Sequence, residues 1–208
     1  MNRREHWERV YLEKEPEAVS WYTPRLAISI ELIDALAPGP GTRVIDVGGG
    51  ASTLPDHLLD LGAGAITVLD LSAAALARSR ARLGRRADRV TWIEADIRAA
   101  DLPEAAYDIW HDRAAFHFLT DANDRARYAA VLHHALAPGG RVVLATFALD
   151  GPERCSGLPV QRYDAPAMAA ALGLEGRIPF EVVDERREVH TTPWASTQAF
   201  QFAVLRRV

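Results

Sequence analysis

The sequence predicts one α/β domain: a seven-stranded, mostly parallel sheet covered by helices on both faces, with an antiparallel C-terminal hairpin at one edge and a helical lid at the N-terminus. Three observations carry this. Apolar periodicity switches repeatedly between strand-like and helix-like, and strands separated by helices of ten or more residues imply right-handed crossovers and a buried parallel sheet. The tail instead holds two strand-like segments whose connector is too short for a crossover helix. Finally, 208 residues with 49% apolar and 25% charged content suit one ordinary globular domain. Such a chain buries about 70% of the surface it exposes when unfolded, and a second full domain does not fit.

In order along the chain, an amphipathic stretch from about Arg3 to Lys14 precedes a broken segment around Pro16 and Pro24, and a second helix runs to about Leu36. Pro38-Gly39-Pro40-Gly41 stops that helix, so residues 1–37 read as the lid plus a first helix and 40–208 as the core. Strands are expected at Thr42 to Val47, Ala65 to Asp70, Val90 to Glu94, Tyr107 to His111 and Arg141 to Phe147. Helices are expected at Thr53 to Leu61, Ala73 to Leu83, Asp121 to Leu136 and, more briefly, Ala165 to Leu172. The closing hairpin pairs about Phe180 to Val189 with Gln198 to Arg206 across Thr191-Thr192-Pro193-Trp194-Ala195-Ser196.

Composition excludes several classes of function. With 24 Lys plus Arg against 28 Asp plus Glu, the net charge of −4 argues against a general nucleic-acid or membrane-surface binder. The longest nearly apolar run, Val142 to Leu149, is far too short for a bilayer span. The charged start around Arg3-Arg4-Glu5-His6 does not read as a secretory leader, so mature sequence is the expectation, and the single cysteine, Cys155, has no intramolecular disulfide partner. A cytoplasmic location is the expectation. Only Lys14 among the basic residues is lysine, so arginine is the default cation of this chain. The series Arg78, Arg82, Arg85, Arg89 therefore reads as a solvated helix face before it reads as an RNA stripe. His133 and His134 lack the spacing of a metal pair, and no metal is expected.

The chemistry concentrates where the first strand runs into Gly48-Gly49-Gly50 and then a helix. Ligands of open parallel sheets bind beyond the carboxyl ends of the strands, where glycines let backbone amides approach a nucleotide. The second strand ends at Asp70, about 20 residues after Gly48, where a carboxylate can accept from both ribose hydroxyls. An adenosine-type cofactor follows. The dinucleotide fingerprint fails at Thr53, which counts against an NAD-dependent oxidoreductase. Asp46, just before the glycines, suits a cofactor bearing an ammonium and a sulfonium better than a pyrophosphate.

At these residues the sequence resembles the class I S-adenosylmethionine-dependent methyltransferases, which have a Rossmann-like sheet. Val44-Ile45-Asp46-Val47-Gly48-Gly49-Gly50 looks like their first motif, Val68-Leu69-Asp70-Leu71-Ser72 the second and Glu94-Ala95-Asp96-Ile97 the third. Tyr107-Asp108-Ile109-Trp110-His111-Asp112 and Leu136-Ala137-Pro138-Gly139-Gly140-Arg141 resemble the fourth strand and the turn into the fifth. The resemblance spans about residues 40 to 147. It implies that Gly48 and Gly50 approach S-adenosylmethionine, that Asp70 with Leu71 beside it holds the ribose, and that Asp96 and Ile97 meet the adenine. The front end, His6-Trp7-Glu8-Arg9-Val10-Tyr11 with Ser20-Trp21-Tyr22, is similar to bacterial type 12 methyltransferases and to eukaryotic lysine methyltransferases. Thiopurine and tellurite methyltransferases carry a comparable aromatic helix. Trp7 and Tyr11 share a helix face, which with Trp21 either closes over the cofactor or simply rests on the domain.

His111 and Asp112 end the fourth strand, beside the place where the transferred methyl should lie. Both are candidate catalytic residues: His111 to hold the acceptor, take its proton or touch the cofactor, Asp112 to attract a cationic group. The alternative is that one of them caps the turn that follows. His117 is a weaker candidate. The reading is transfer of a methyl group to a nitrogen or sulfur of a small molecule, or to a protein lysine, leaving S-adenosylhomocysteine. Its rival is a sensor or scaffold that binds the cofactor without turnover.

Overall fold

A computed structural model describes residues 2–174 and 180–208. The main sheet comprises β1 (Arg43–Val47), β2 (Ala65–Asp70), β3 (Val90–Glu94), β4 (Tyr107–Arg113), β5 (Leu136–Phe147), β6 (Phe180–Thr191) and β7 (Thr197–Arg207). Their spatial order is β3-β2-β1-β4-β5-β7-β6. The first five are parallel, and β7 runs antiparallel between β5 and β6. The sheet order reverses between β1 and β4, which opens the crevice where open α/β sheets bind ligands.

The helices are α1 (Arg3–Glu13), α2 (Ala27–Ala35), α3 (Leu54–Leu61), α4 (Ala73–Leu83), α5 (Ala122–Ala135) and α6 (Ala165–Ala171). Their ends follow local chemistry. Pro55 sits in the first turn of α3, and Gly62 closes it at φ 79°. Ser72 caps α4 and Asp121 caps α5 by accepting first-turn amides. Among the described residues no helix is long and apolar enough to cross a membrane.

Strand alternation divides the core in two. Val44, Val68, Ile109 and Val143 face Ile30, Ile33, Leu54 and Leu58 on one side. Ile45, Leu69, Trp110 and Leu144 face Tyr128, Leu132 and Met168 on the other. Several boundaries shift by one or two residues, and two shifts matter for the site and the sheet. β4 runs on through Asp112 to Arg113, because both residues find partners on β5. β5 starts at Leu136, which pairs with Tyr107 ahead of a register shift. A two-residue hairpin, Arg154–Cys155 with Leu158–Pro159, was not expected at all.

Candidate active site

Two cavities meet at the carboxyl ends of β1, β2 and β4. The smaller, about 110 Å³, is bounded by Gly48, Asp70, Leu71, Asp96 and Ile97 below and by Trp7, Tyr11, Trp21 and Phe118 above. The larger, about 310 Å³, reaches past Asp46, Gly49 and His111 to Arg78 and Arg82. Tyr11, Trp21, Gly48 and Arg113 line both and form the junction.

The glycines are dictated by close approach. Gly48 has φ 68°, and a Cβ there would lie 2.6 Å from the Ala115 Cβ. A Cβ on Gly50 would meet the Asp70 carboxylate at 2.7 Å. That carboxylate accepts from the Ser72 amide at 2.8 Å. Burial outweighs this bond and its neighbours and raises the Asp70 carboxyl to about 7. Asp96 is arranged differently. Partial desolvation pushes its carboxyl up, but the Arg98 side chain and amide together prevail and hold it below the usual carboxylate range. Its oxygens are committed to Arg98, which also reaches Asp124 at 2.7 Å. Asp96 therefore shapes the far wall, with Ile97 providing the apolar surface.

The two candidates at the end of β4 point to opposite faces of the sheet, as adjacent strand residues must. His111 lies on the α2 side beside Asp46, its partner in register on β1. Nδ1 lies 2.7 Å from Asp46 Oδ1 and Nε2 lies 2.9 Å from Ser29 Oγ. Because a carboxylate only accepts, Nδ1 donates, and the serine hydroxyl occupies the remaining nitrogen. The ring keeps no free lone pair toward the cavity, which does not fit the expected general base. Asp46 Oδ2 is buried and has no partner.

Asp112 is fully buried on the α5 side, where it accepts from the Ala115 and Phe116 amides and from the Tyr128 hydroxyl at 2.8 Å. It lines neither cavity. Direct work on cofactor or acceptor is thus corrected to the capping alternative: its carboxylate fixes the turn after β4 that carries Ala114 and Ala115 to the smaller cavity. His117 in that turn is also fully buried, and burial followed by the Arg113 charge holds its imidazole at about 3, so it stays neutral.

The N-terminal segment covers the smaller cavity. Trp7 makes edge contacts with Trp21 and Phe118 at centroid distances of 5.5 and 5.0 Å, and Tyr11 meets Trp21 at 6.3 Å. Polar contacts fasten α1 down. Glu8 accepts from the Ser72 hydroxyl at 2.7 Å and the Ala74 amide at 3.2 Å, adding a negative charge at the start of α4. Arg3 pairs with Asp124 at 3.1 Å, and Arg4 pairs with Glu94.

Sequence reasoning did not place Arg113 or Phe118 in the site, and Arg78, expected on a solvated helix face, instead lines the larger cavity. Arg113 is nearly buried at the junction, stacked 4.5 Å over the Phe200 ring and 3.7 Å from Glu188, and its Nη1 donates to the Trp21 carbonyl at 3.3 Å. Its position at the end of β4 was the available signal. Cys155 lines the smaller cavity, and burial pushes its thiol up to about 11, so it forms an apolar wall.

Residues 44–140 match the family model of a methyltransferase domain. The ubiquinone/menaquinone biosynthesis C-methyltransferase UbiE of Paracoccus denitrificans is 31% identical over 119 residues, covering 56% of this chain and 46% of that protein. The eEF1A lysine and N-terminal methyltransferase of Bos taurus is 25% identical over 150 residues, 69% of this chain and 21% of that one. The chain thus spans half or less of these relatives. The structure of Burkholderia thailandensis 1,6-didemethyltoxoflavin-N1-methyltransferase, with bound 1,6-didemethyltoxoflavin and S-adenosylhomocysteine, superposes with a TM-score of 0.72 at 20% identity, over 99% of this chain and 87% of that one.

Proposed function

Because residues 44–140 are a methyltransferase domain and the sheet is that of the class I S-adenosylmethionine-dependent enzymes, we propose that the protein methylates a nitrogen or sulfur atom of a small molecule. The residues present fit this cofactor. Gly48 lines both cavities while Gly50 packs behind it against Asp70 and Ala75, Asp70 offers a carboxylate for the ribose, Leu71 and Ile97 offer apolar surface for the adenine, and Asp46 Oδ2 lacks a partner that an ammonium can supply. When bound, the cofactor supplies a methyl group on a sulfonium, already a good leaving group. The chain's own contribution is proximity, alignment and exclusion of water by Trp7, Tyr11 and Trp21.

The observation that carries the choice of acceptor is the engagement of both polar side chains at the end of β4. With the His111 nitrogens facing Asp46 and Ser29 and Asp112 turned into the core, neither side chain presents a free lone pair to the cavity. A neutral amine, ring nitrogen or thiolate brings its own lone pair and needs no such help. The test is methyl transfer from labelled S-adenosylmethionine to fractionated extract. Label in the low-molecular-mass fraction is expected. Label in protein would make lysine the acceptor, and tight cofactor binding without transfer to either fraction would favour a sensor or scaffold.

In this account His111 is a positioning residue that orients Asp46. His111→Ala is expected to weaken cofactor binding by about 10-fold, the loss of one charge-assisted hydrogen bond, while turnover at saturating cofactor keeps its pH profile. A loss of about 10²–10⁴-fold at saturation, with a shifted profile, would restore the general base.

A further inference from the structure

Four residues on the walls of the two cavities keep a buried side-chain atom with no hydrogen-bond partner among the described residues: Arg3 Nη1, Asp46 Oδ2, Arg78 Nη1 and Arg113 Nη2. Arg3 Nη1 still has the Asp124 carboxylate at 3.1 Å. Asp46 and Arg78 line only the larger cavity, beside the glycine turn where the cofactor's amino-acid tail belongs. Arg113 alone of the four lines both cavities, so it stands at the junction where the sulfonium meets the acceptor. Its setting leaves Nη2 to offer. The side chain is 7% exposed, its guanidinium is stacked 4.5 Å over the Phe200 ring, and Nη1 donates to the Trp21 carbonyl at 3.3 Å. Nη2 lies 3.7 Å from Glu188 Oε2, too far for a hydrogen bond, and both atoms are left unpartnered. Glu188 is on β6 and lines neither cavity, so a molecule at the junction meets the guanidinium rather than the carboxylate.

A buried guanidinium N–H without an acceptor bears a desolvation cost that an oxygen of a ligand removes. The charges at the junction restrict that ligand further. Asp46 and Arg78 cancel, as do the ammonium and carboxylate of the cofactor's tail, which leaves the sulfonium with Arg113 and Glu188. Two positive charges then face one negative. An acceptor with a single negative charge balances them, whereas a cationic acceptor would be repelled and a doubly charged phosphate would overshoot and be repelled by Glu188. A carboxylate fits. Tyr11 and Trp21 flank the same junction, so the rest of the acceptor meets aromatic surface and is apolar.

We propose that Arg113 binds a carboxylate of the methyl acceptor and so makes the enzyme selective for small molecules that are singly anionic and otherwise apolar. The inference rests on the reading of the protein as a small-molecule methyltransferase, and the experiment separates the two. Labelled S-adenosylmethionine is offered with the low-molecular-mass fraction of extract, split beforehand on an anion exchanger at neutral pH into retained and unretained pools. Label is expected in the retained pool. Label chiefly in the unretained pool overturns the proposal and leaves the methyltransferase reading standing, whereas transfer to neither pool overturns both. The second measurement reads binding without turnover: nuclear magnetic resonance titration of the S-adenosylhomocysteine complex with benzoate, benzamide and phenyl phosphate as probes. Wild type should bind benzoate about 10-fold more tightly than either other probe, the margin of a charge-assisted over a neutral hydrogen bond. Arg113→Met should erase the preference over benzamide, and Arg113→Lys, a point charge without the planar fork, should keep part of it. Equal affinity of wild type for benzoate and benzamide overturns the proposal, and that comparison stands even where Arg113→Met does not fold. Equal weakening of both probes by Arg113→Met overturns it as a structural effect. Loss of S-adenosylhomocysteine binding in a folded Arg113→Met protein overturns it too, because the residue would then serve the cofactor.

Discussion

Asp70→Ala is expected to cost about 1.5–3 kcal/mol of cofactor affinity, since the variant removes a charge-assisted partner from the ribose hydroxyls. Calorimetry showing equal affinity in wild type and variant would remove Asp70 from the site. The pH dependence makes this sharper. The Asp70 carboxyl is raised from 3.8 to about 7 by burial in the folded protein. A carboxyl with a raised folded pKa favours folding fully below its unfolded value, and that contribution is lost as pH rises through about 7. Binding needs the opposite state, because only the ionised group accepts from both hydroxyls. Cofactor affinity should therefore climb as pH rises toward about 7 and flatten above it. Asp70→Asn keeps an acceptor for the Ser72 amide without the buried charge. It should melt higher than wild type at pH 8, by about 1–3 kcal/mol of stability, yet bind cofactor more weakly. A variant that melts lower and binds normally would mean the charge is paired within the fold.

Removing residues 1–22 should weaken cofactor binding by at least about 100-fold while the sheet remains folded, because the segment supplies Trp7, Tyr11 and Trp21 over the smaller cavity. Most of the core lies between the sheet and helices α2 to α6, and Trp7 and Trp21 sit at its margin. Circular dichroism and calorimetry on the truncated chain measure the two parts separately. Undiminished binding would leave the aromatic helix with only a structural role.

Much of the fold was legible because its signals are local. β2, β3 and α4 have the expected limits, since each is bounded by a cap, a glycine or a change of apolar period. The glycine run and Asp70 were legible for a related reason: they end buried strands, and the chemistry at a strand end follows from the fold class. The reading that set His111 and Asp112 both beside the transferred methyl overlooked a property of strands. β4 continues past them, so alternation sends one side chain to Asp46 and Ser29 and the other to Tyr128. Ser29 could not be paired with His111 from sequence, because the contact joins a helix and a strand far apart in the chain. Arg78 was hidden by composition. In a chain whose cations are almost all arginine, nothing marks which guanidinium turns inward, and only packing of α4 against the loop after β1 decides it.

The most direct test of the account is a structure with S-adenosylhomocysteine bound. The account predicts the adenine in the smaller cavity between Leu71 and Ile97, the ribose on Asp70, the sulfur at the junction near Gly48 and Arg113, and the amino-acid tail toward Asp46 and Arg78 in the larger cavity. An adenosine seated in the larger cavity, or a ligand that leaves Asp70 untouched, would contradict it.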